Sequence, residues 1–267
     1  MKKLTYLLLS LFIISCSSSD DDGGGIPAEE TFNYFPLTSG TYWTYTNEAD
    51  QEITTDSLYV SGTEDLNGVS YTVLGAEQPV TGFMTSILSE SLVRATDTKL
   101  ILNGELGAPP VDGFPDITIP LNDVALYDTQ ASTGTLLSEV TGEIEQEVDG
   151  IPILIGFTIS SVQGETLENG FGDFTDTTVL TSKIIVNLSI TAAIEIIPGT
   201  VIPIPILQAQ DVVTTVNYFA DEIGLINSDT LIEYELEDLS ALGIDLPIPA
   251  EDSRTATQDI DNYFIGN

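Results

Sequence analysis

One stretch constrains the fold more than any other, "IIVNLSITAAIEII", residues 184–197. Ile184, Val186, Leu188, Ile190, Ala192, Ile194 and Ile196 fall on one parity, while Asn187, Ser189, Thr191 and Glu195 fall on the other. A period of two places one set on a core face and the other in solvent, which only a β-strand does. Fourteen residues exceed the usual strand length, so this strand is expected to lie in a strongly twisted, curved sheet. The rest of the chain repeats the signal, and helical periodicity is scarce.

Turn chemistry divides the strands into hairpins. Asp149-Gly150 separates "EVTGEIEQEV" from "IPILIGFTIS", and Asn67-Gly68 separates "DSLYVSGTEDL" from "VSYTVLGA". Both dipeptides suit the left-handed turns that join antiparallel strands. Pro198-Gly199 turns the long strand back on itself, and Asp97 marks a hairpin within "SLVRATDTKLILNGE". Pro203 and Pro205 cannot donate to a ladder, so their strand is expected at an edge or a strand entrance. "GAPPVDGFPDITIP" reads as a loop entering another strand. The expectation is one all-β domain over residues 29–267, a strongly curved antiparallel sheet (a half-barrel) or a β-sandwich, with little helix.

Composition narrows the chemistry. The chain holds 42 acidic and six basic residues, a net charge of −36, with no histidine and one cysteine. Nucleic acid is excluded as a partner because phosphate binding needs clustered cations. Histidine- or cysteine-based nucleophilic sites and zinc sites are excluded too. What survives is a carboxylate pair of the glycosidase kind or an oxygen-ligand site for a hard cation. Glu64-Asp65-Leu66-Asn67-Gly68 could offer calcium ligands but reads better as an acidic hairpin loop. The chain is expected to be no enzyme and to carry no cofactor or metal.

The N-terminus speaks of location. Lys2 and Lys3 precede an apolar run from Leu4 to Ile14, too short to cross a bilayer as a helix. It ends at Ile13-Ile14-Ser15-Cys16, which resembles the lipobox of bacterial lipoproteins. The resemblance implies a signal peptide over residues 1–15 and acylation of Cys16. Residues 16–28 read as an acidic, glycine-rich tether. Asp20, Asp21 and Asp22 resemble the export signal of surface-exposed lipoproteins in Gram-negative envelopes. The implied location is the outer membrane, facing outward, with the periplasmic leaflet as the alternative.

Three further segments, "NYFPLTSGTYWTYT", "NGFGDFTDTTVL" and "NYFADEIGLINSD", resemble a group of envelope lipoproteins with a LolA/LolB type of half-barrel. That resemblance implies a non-enzymatic binding or accessory subunit for an outer-membrane protein complex, or for an apolar ligand in the concave face. The alternatives are a carbohydrate-binding or adhesion module and a two-carboxylate glycan hydrolase. Tyr42, Trp43 and Phe171 are the candidate contacts for a partner or glycan, with a packed core aromatic as the competing reading of Trp43. Ser57, Thr177 and Thr230 lie in sequences resembling an Asp-Ser/Thr-apolar O-glycosylation signal.

Overall fold

The computed structural model describes residues 33–107, 117–148, 150–197, 199–240 and 248–267. Cys16, Asp20, Asp21 and Asp22, with the signal peptide and tether, lie outside the described residues. Twelve strands form one antiparallel sheet: β1 (Tyr42–Ala49), β2 (Glu52–Leu66), β3 (Val69–Glu77), β4 (Leu92–Ala95), β5 (Lys99–Gly107) and β6 (Thr118–Asp128) are the first six. They are followed by β7 (Leu136–Val148), β8 (Ile151–Leu167), β9 (Val179–Ile197), β10 (Thr200–Ala220), β11 (Gly224–Glu235) and β12 (Glu251–Phe264). One short helix, α1 (Phe83–Leu88), sits between β3 and β4.

The spatial order is β6-β5-β4-β3-β2-β1-β12-β11-β10-β9-β8-β7. Every strand except at the β6–β7 step therefore pairs with its sequence neighbours, and β12 returns to pair with β1. The order is that of an up-and-down barrel interrupted at one seam, between β6 and β7. Among the described residues no backbone ladder crosses the seam. Side chains bridge it instead: Ala125 N donates to Ser138 Oγ at 2.9 Å, and Asp128 N donates to Gln163 Oε1 at 2.9 Å. The sheet is thus all-β and curved as expected, more closed than a half-barrel, and not a sandwich of two sheets.

The turns follow the local chemistry. Asn67 and Gly68 both take positive φ, 53° and 82°, the requirement of the expected turn. Val148 pairs with Ile151 across Gly150, and Ile197 pairs with Thr200 across Gly199. The inward parity of β9 is as the alternation demands: Ile184, Val186, Leu188, Ile190 and Ala192 are all buried. Residues 200–212 of β10 pair with β9 alone, because β11 begins its ladder at Val213. Pro203 and Pro205 occupy that one-sided stretch, where their missing N–H groups leave no ladder bond unmade.

Side chains fill the interior. At the end where the chain enters, Phe35 stacks on Trp43 with centroids 4.9 Å apart, Phe219 meets Tyr127 at 5.1 Å, and Tyr34 meets Tyr127 at 6.0 Å. We call this the aromatic end. Burial pushes the Tyr34 hydroxyl up to about 12, with Asp221 and Glu168 adding to the shift. At the opposite end α1 lies inside the sheet, with Met84, Ile87 and Leu88 buried. Asp56 accepts the amides of Thr81 and Gly82 at 3.0 and 2.7 Å and the Thr85 hydroxyl at 3.1 Å. Gln258 completes the clamp, accepting from Met84 N and donating to Thr85 Oγ1. Two buried side chains on β2 and β12 thereby accept the amides of Gly82, Met84 and Thr85 at the start of the helix.

Candidate functional site

Three features of the wall and mouth could act on other molecules. The first is an overhang. β8, β9 and β10 run for 17, 19 and 21 residues. With β7 they project past the rest of the sheet at the end opposite the aromatic cluster, as an arm tipped by the turns at Gly150 and Gly199. Its outer face carries a groove of about 570 Å³ lined by Pro152, Leu154, Ala193 and Pro203, with Glu145 and Glu147 along one side. The pairings Glu145–Leu154–Thr191 and Glu147–Pro152 set that arrangement. At the tip Ile151, Leu154, Val201 and Ile202 are exposed, Val201 to 59%.

The second feature is an aromatic row. Phe264 pairs with Tyr42 and Tyr42 with Tyr59, so the three side chains share the outer face of β12, β1 and β2. Tyr42 and Phe264 stack with centroids 6.0 Å apart. Tyr59 lies across the bare Cα of Gly75, where an added Cβ would come within 2.6 Å of its ring.

The third feature is a polar row on the inner face. Gln163, Ser182, Asn217, Ser228, Gln258, Asn47 and Thr54 are direct cross-strand partners in succession from β8 to β2. Ser228 Oγ donates to Asn217 Oδ1 at 3.0 Å and Asn47 Nδ2 donates to Thr81 Oγ1 at 2.9 Å. The row ends at a pocket of about 200 Å³ lined by Asn47, Thr54, Thr81, Phe83, Ser228 and Gln258. Buried amides and hydroxyls of this kind are tolerated because most find partners.

The residues singled out from sequence separate clearly. Trp43 is 0% exposed and its Nε1 donates to the Ile223 carbonyl at 2.6 Å, so it is core and no platform for a ligand. Tyr42 is exposed in the aromatic row. Phe171 is half-buried and stacks on Tyr218 at 4.0 Å, in a satellite cluster with Val179, Ala220 and Ile226 beneath the β8–β9 connection. Ser57 is buried, and Thr230 is buried with its hydroxyl against Thr215 Oγ1 at 3.1 Å, so neither is placed to carry a glycan. Thr177 is half-buried.

Among the described residues the apolar part of the concave face is occupied. The cavity between Phe83, Leu106, Ile119, Val186, Leu188 and Val213 measures about 10 Å³, no more than about one water. A lipid-sized ligand has no room there. Among the described residues no group of three or more acidic side chains is arranged to hold a metal ion. One carboxylate pair merits mention: Asp229 and Asp259, on neighbouring strands of the outer wall. Burial and then the charge of Asp259 push the Asp229 carboxyl above its ordinary value, against the bond from Asn227. The pair sits on the wall beside the Phe171–Tyr218 stack rather than inside the sheet.

No family model and no curated protein matches the chain. Among solved structures it is similar to a protein provisionally described as a lipoprotein, from Parabacteroides distasonis, at 11% identity and a TM-score of 0.35. The similarity covers 88% of this chain and 100% of that one.

Proposed function

We propose that the protein is a non-enzymatic lipoprotein, anchored through acylated Cys16 in the outer membrane and facing outward, that serves as a binding or accessory subunit of an outer-membrane protein complex. The observation that carries the binding role is the arm: an overhanging sheet with an apolar outer groove and an exposed apolar tip, on a body whose interior is filled. Exposed apolar surface gathered in one place marks contact with another molecule more often than isolated residues do. Pro203 and Pro205 blunt the free margin of β10 against strand addition. The groove between Pro152, Leu154 and Pro203 therefore receives side chains of a partner rather than a partner strand.

Recovery of the protein from detergent-solubilised membranes tests this directly. A stoichiometric outer-membrane protein should accompany it, and the variants Leu154→Asp and Val201→Asp should lose that companion while remaining folded. A chain that always comes alone, or a companion indifferent to both variants, contradicts the binding role. A second reading, attachment to glycan, is favoured by the exposed aromatic row, since ring faces stack on sugars. Binding of glycans that Tyr42→Ala abolishes would move the function to that row.

A further inference from the structure

The strands that end the sheet, β6 and β7, each have one margin without a ladder partner among the described residues. β6 is closed to a further strand. Pro120 lacks a donor, Asp123 interrupts the strand at φ 52°, and Ile117 and Ile119 turn its start inward onto Val186 and Leu188. β7 has none of these guards. Its 13 residues include no proline, and beyond the seam its margin runs free along the arm.

The turn decides which backbone groups face that margin. Val148 and Ile151 flank a two-residue turn, where the flanking pair exchanges both backbone bonds. Register is unbroken from Ser138 to Val148, and bonded pairs alternate along an antiparallel ladder, so the even-numbered residues bond to β8. Glu139, Thr141, Glu143, Glu145 and Glu147 therefore turn N–H and C=O to the open margin. The same five are exposed on the outer face, while Val140, Ile144 and Val148 are half-buried on the inner one. Glu143, Glu145 and Glu147 form a comb with teeth about 7 Å apart.

None of the described basic residues answers this comb. Arg94 lies over Tyr71, Lys99 pairs with Asp128, and Arg254 pairs with Asp50 and Asp252. Lys183 stands in register with Val162 and Leu136, before the comb begins. The cations that would complement it must come from another molecule.

We propose that β7 accepts an added strand from the partner of the arm, an extended segment with lysine or arginine at alternate positions and apolar residues between them. This names the chemistry of the partner in the binding role given above, and rests on that role. Added antiparallel, the segment bonds to the backbone of Thr141, Glu143, Glu145 and Glu147. Opposed residues share a face, so its cations meet the glutamates and its apolar side chains extend the row of Ile144 and Val148. A second copy of this chain does not fit, because β7 against β7 sets glutamate opposite glutamate. Glu145 and Glu147 also wall the apolar groove, which makes groove and added strand one surface.

The test uses the full-length acylated protein, purified from detergent-solubilised membranes, with short peptides that alternate valine with lysine or with glutamate. The lysine peptide should bind, less tightly as salt rises, and the glutamate peptide should not. Amide-resolved hydrogen exchange reads the geometry. Glu143, Glu145 and Glu147 should slow about ten-fold or more with the lysine peptide bound, while Ile144 and Val148, already laddered to β8, change little. Thr141→Pro keeps every glutamate and every bond to β8, and should weaken the peptide about ten-fold. Glu143→Gln with Glu145→Gln, which leaves the backbone untouched, should remove the salt dependence. Slowing of both parities alike, or binding that Thr141→Pro leaves intact, means that the peptide coats the comb by charge alone and overturns the proposal. Failure of the lysine peptide to bind overturns it as well, as does self-association of the chain that Thr141→Pro abolishes. The binding role is judged separately. A membrane companion lost with Leu154→Asp but kept with Thr141→Pro preserves that role and removes the added strand.

Discussion

Gln163 of β8 reaches across the open seam of the sheet and accepts the amide of Asp128, the last residue of β6, through Oε1 at 2.9 Å. Its Nε2 donates to the Thr181 carbonyl of β9 at 3.2 Å, so one buried amide ties three strands where no ladder joins β6 to β7. Gln163→Leu keeps the volume and removes both bonds. The Asp128 amide then loses its partner, a loss of about 1–3 kcal/mol. Thermal unfolding should move down by about 2–4 °C for each kcal/mol in a domain of this size. Hydrogen exchange should accelerate at Asp128 before it does elsewhere in β6.

Trp43 and Gly224 form a second coupled pair. Gly224 takes φ +115°, and a Cβ there would lie 2.8 Å from Trp43 Nε1, the atom that donates to Ile223 O. Gly224→Ala therefore strains the backbone and displaces the indole at once. Trp43→Ala alone should cost about 3–5 kcal/mol, the range for a buried aromatic. A double-mutant cycle should show the two losses to be less than additive, since the three nearest atoms to a Cβ at 224 all belong to the indole, while the backbone strain at φ +115° remains in both backgrounds. Additive losses would mean that the indole is not held by this contact.

The pH dependence near Asp229 has a definite sign. Its carboxyl is raised in the folded state by burial and by Asp259. The folded chain therefore holds that proton more tightly than the unfolded one. This contribution to stability is fully present below the ordinary carboxylate value and is lost as pH rises through the higher folded value. Asp229→Asn should raise the unfolding temperature at pH 7, with the gain vanishing by about pH 3. A gain that persists at low pH would place its cause in packing instead.

Burial also decides the modification sites. Peptides containing Ser57 and Thr230 should show no glycan mass in protein taken from membranes, because both side chains lie under neighbouring atoms. Finding either one occupied would require the local sheet to open.

Much of the architecture was legible because each hairpin carries its own turn chemistry. Asn67-Gly68, Gly150 and Gly199 are local signals, and the parity of β9 names its buried face residue by residue. The helix was not legible: "FMTSIL" is six residues long, too short for a period of 3.6 to declare itself. Its position depends on Asp56 and on Gln258, which is 174 residues away from Met84. The polar row was hidden for a related reason. Ser182, Asn217 and Gln258 each read as an ordinary interruption of a strand, and only the register of seven strands aligns them. For Trp43 the sequence favours core over ligand contact, and Gly224 and Ile223 close around it. The aromatic row is likewise a property of register, since Phe264 and Tyr59 meet only through Tyr42.

The anchor is the premise of the proposed function. Intact-mass measurement of the protein extracted from envelopes reads it most directly. The account requires a chain that begins at Cys16, heavier than its sequence by a diacylglyceryl group and one further acyl chain. A chain still carrying residues 1–15, or one whose Cys16 thiol is free, would contradict it.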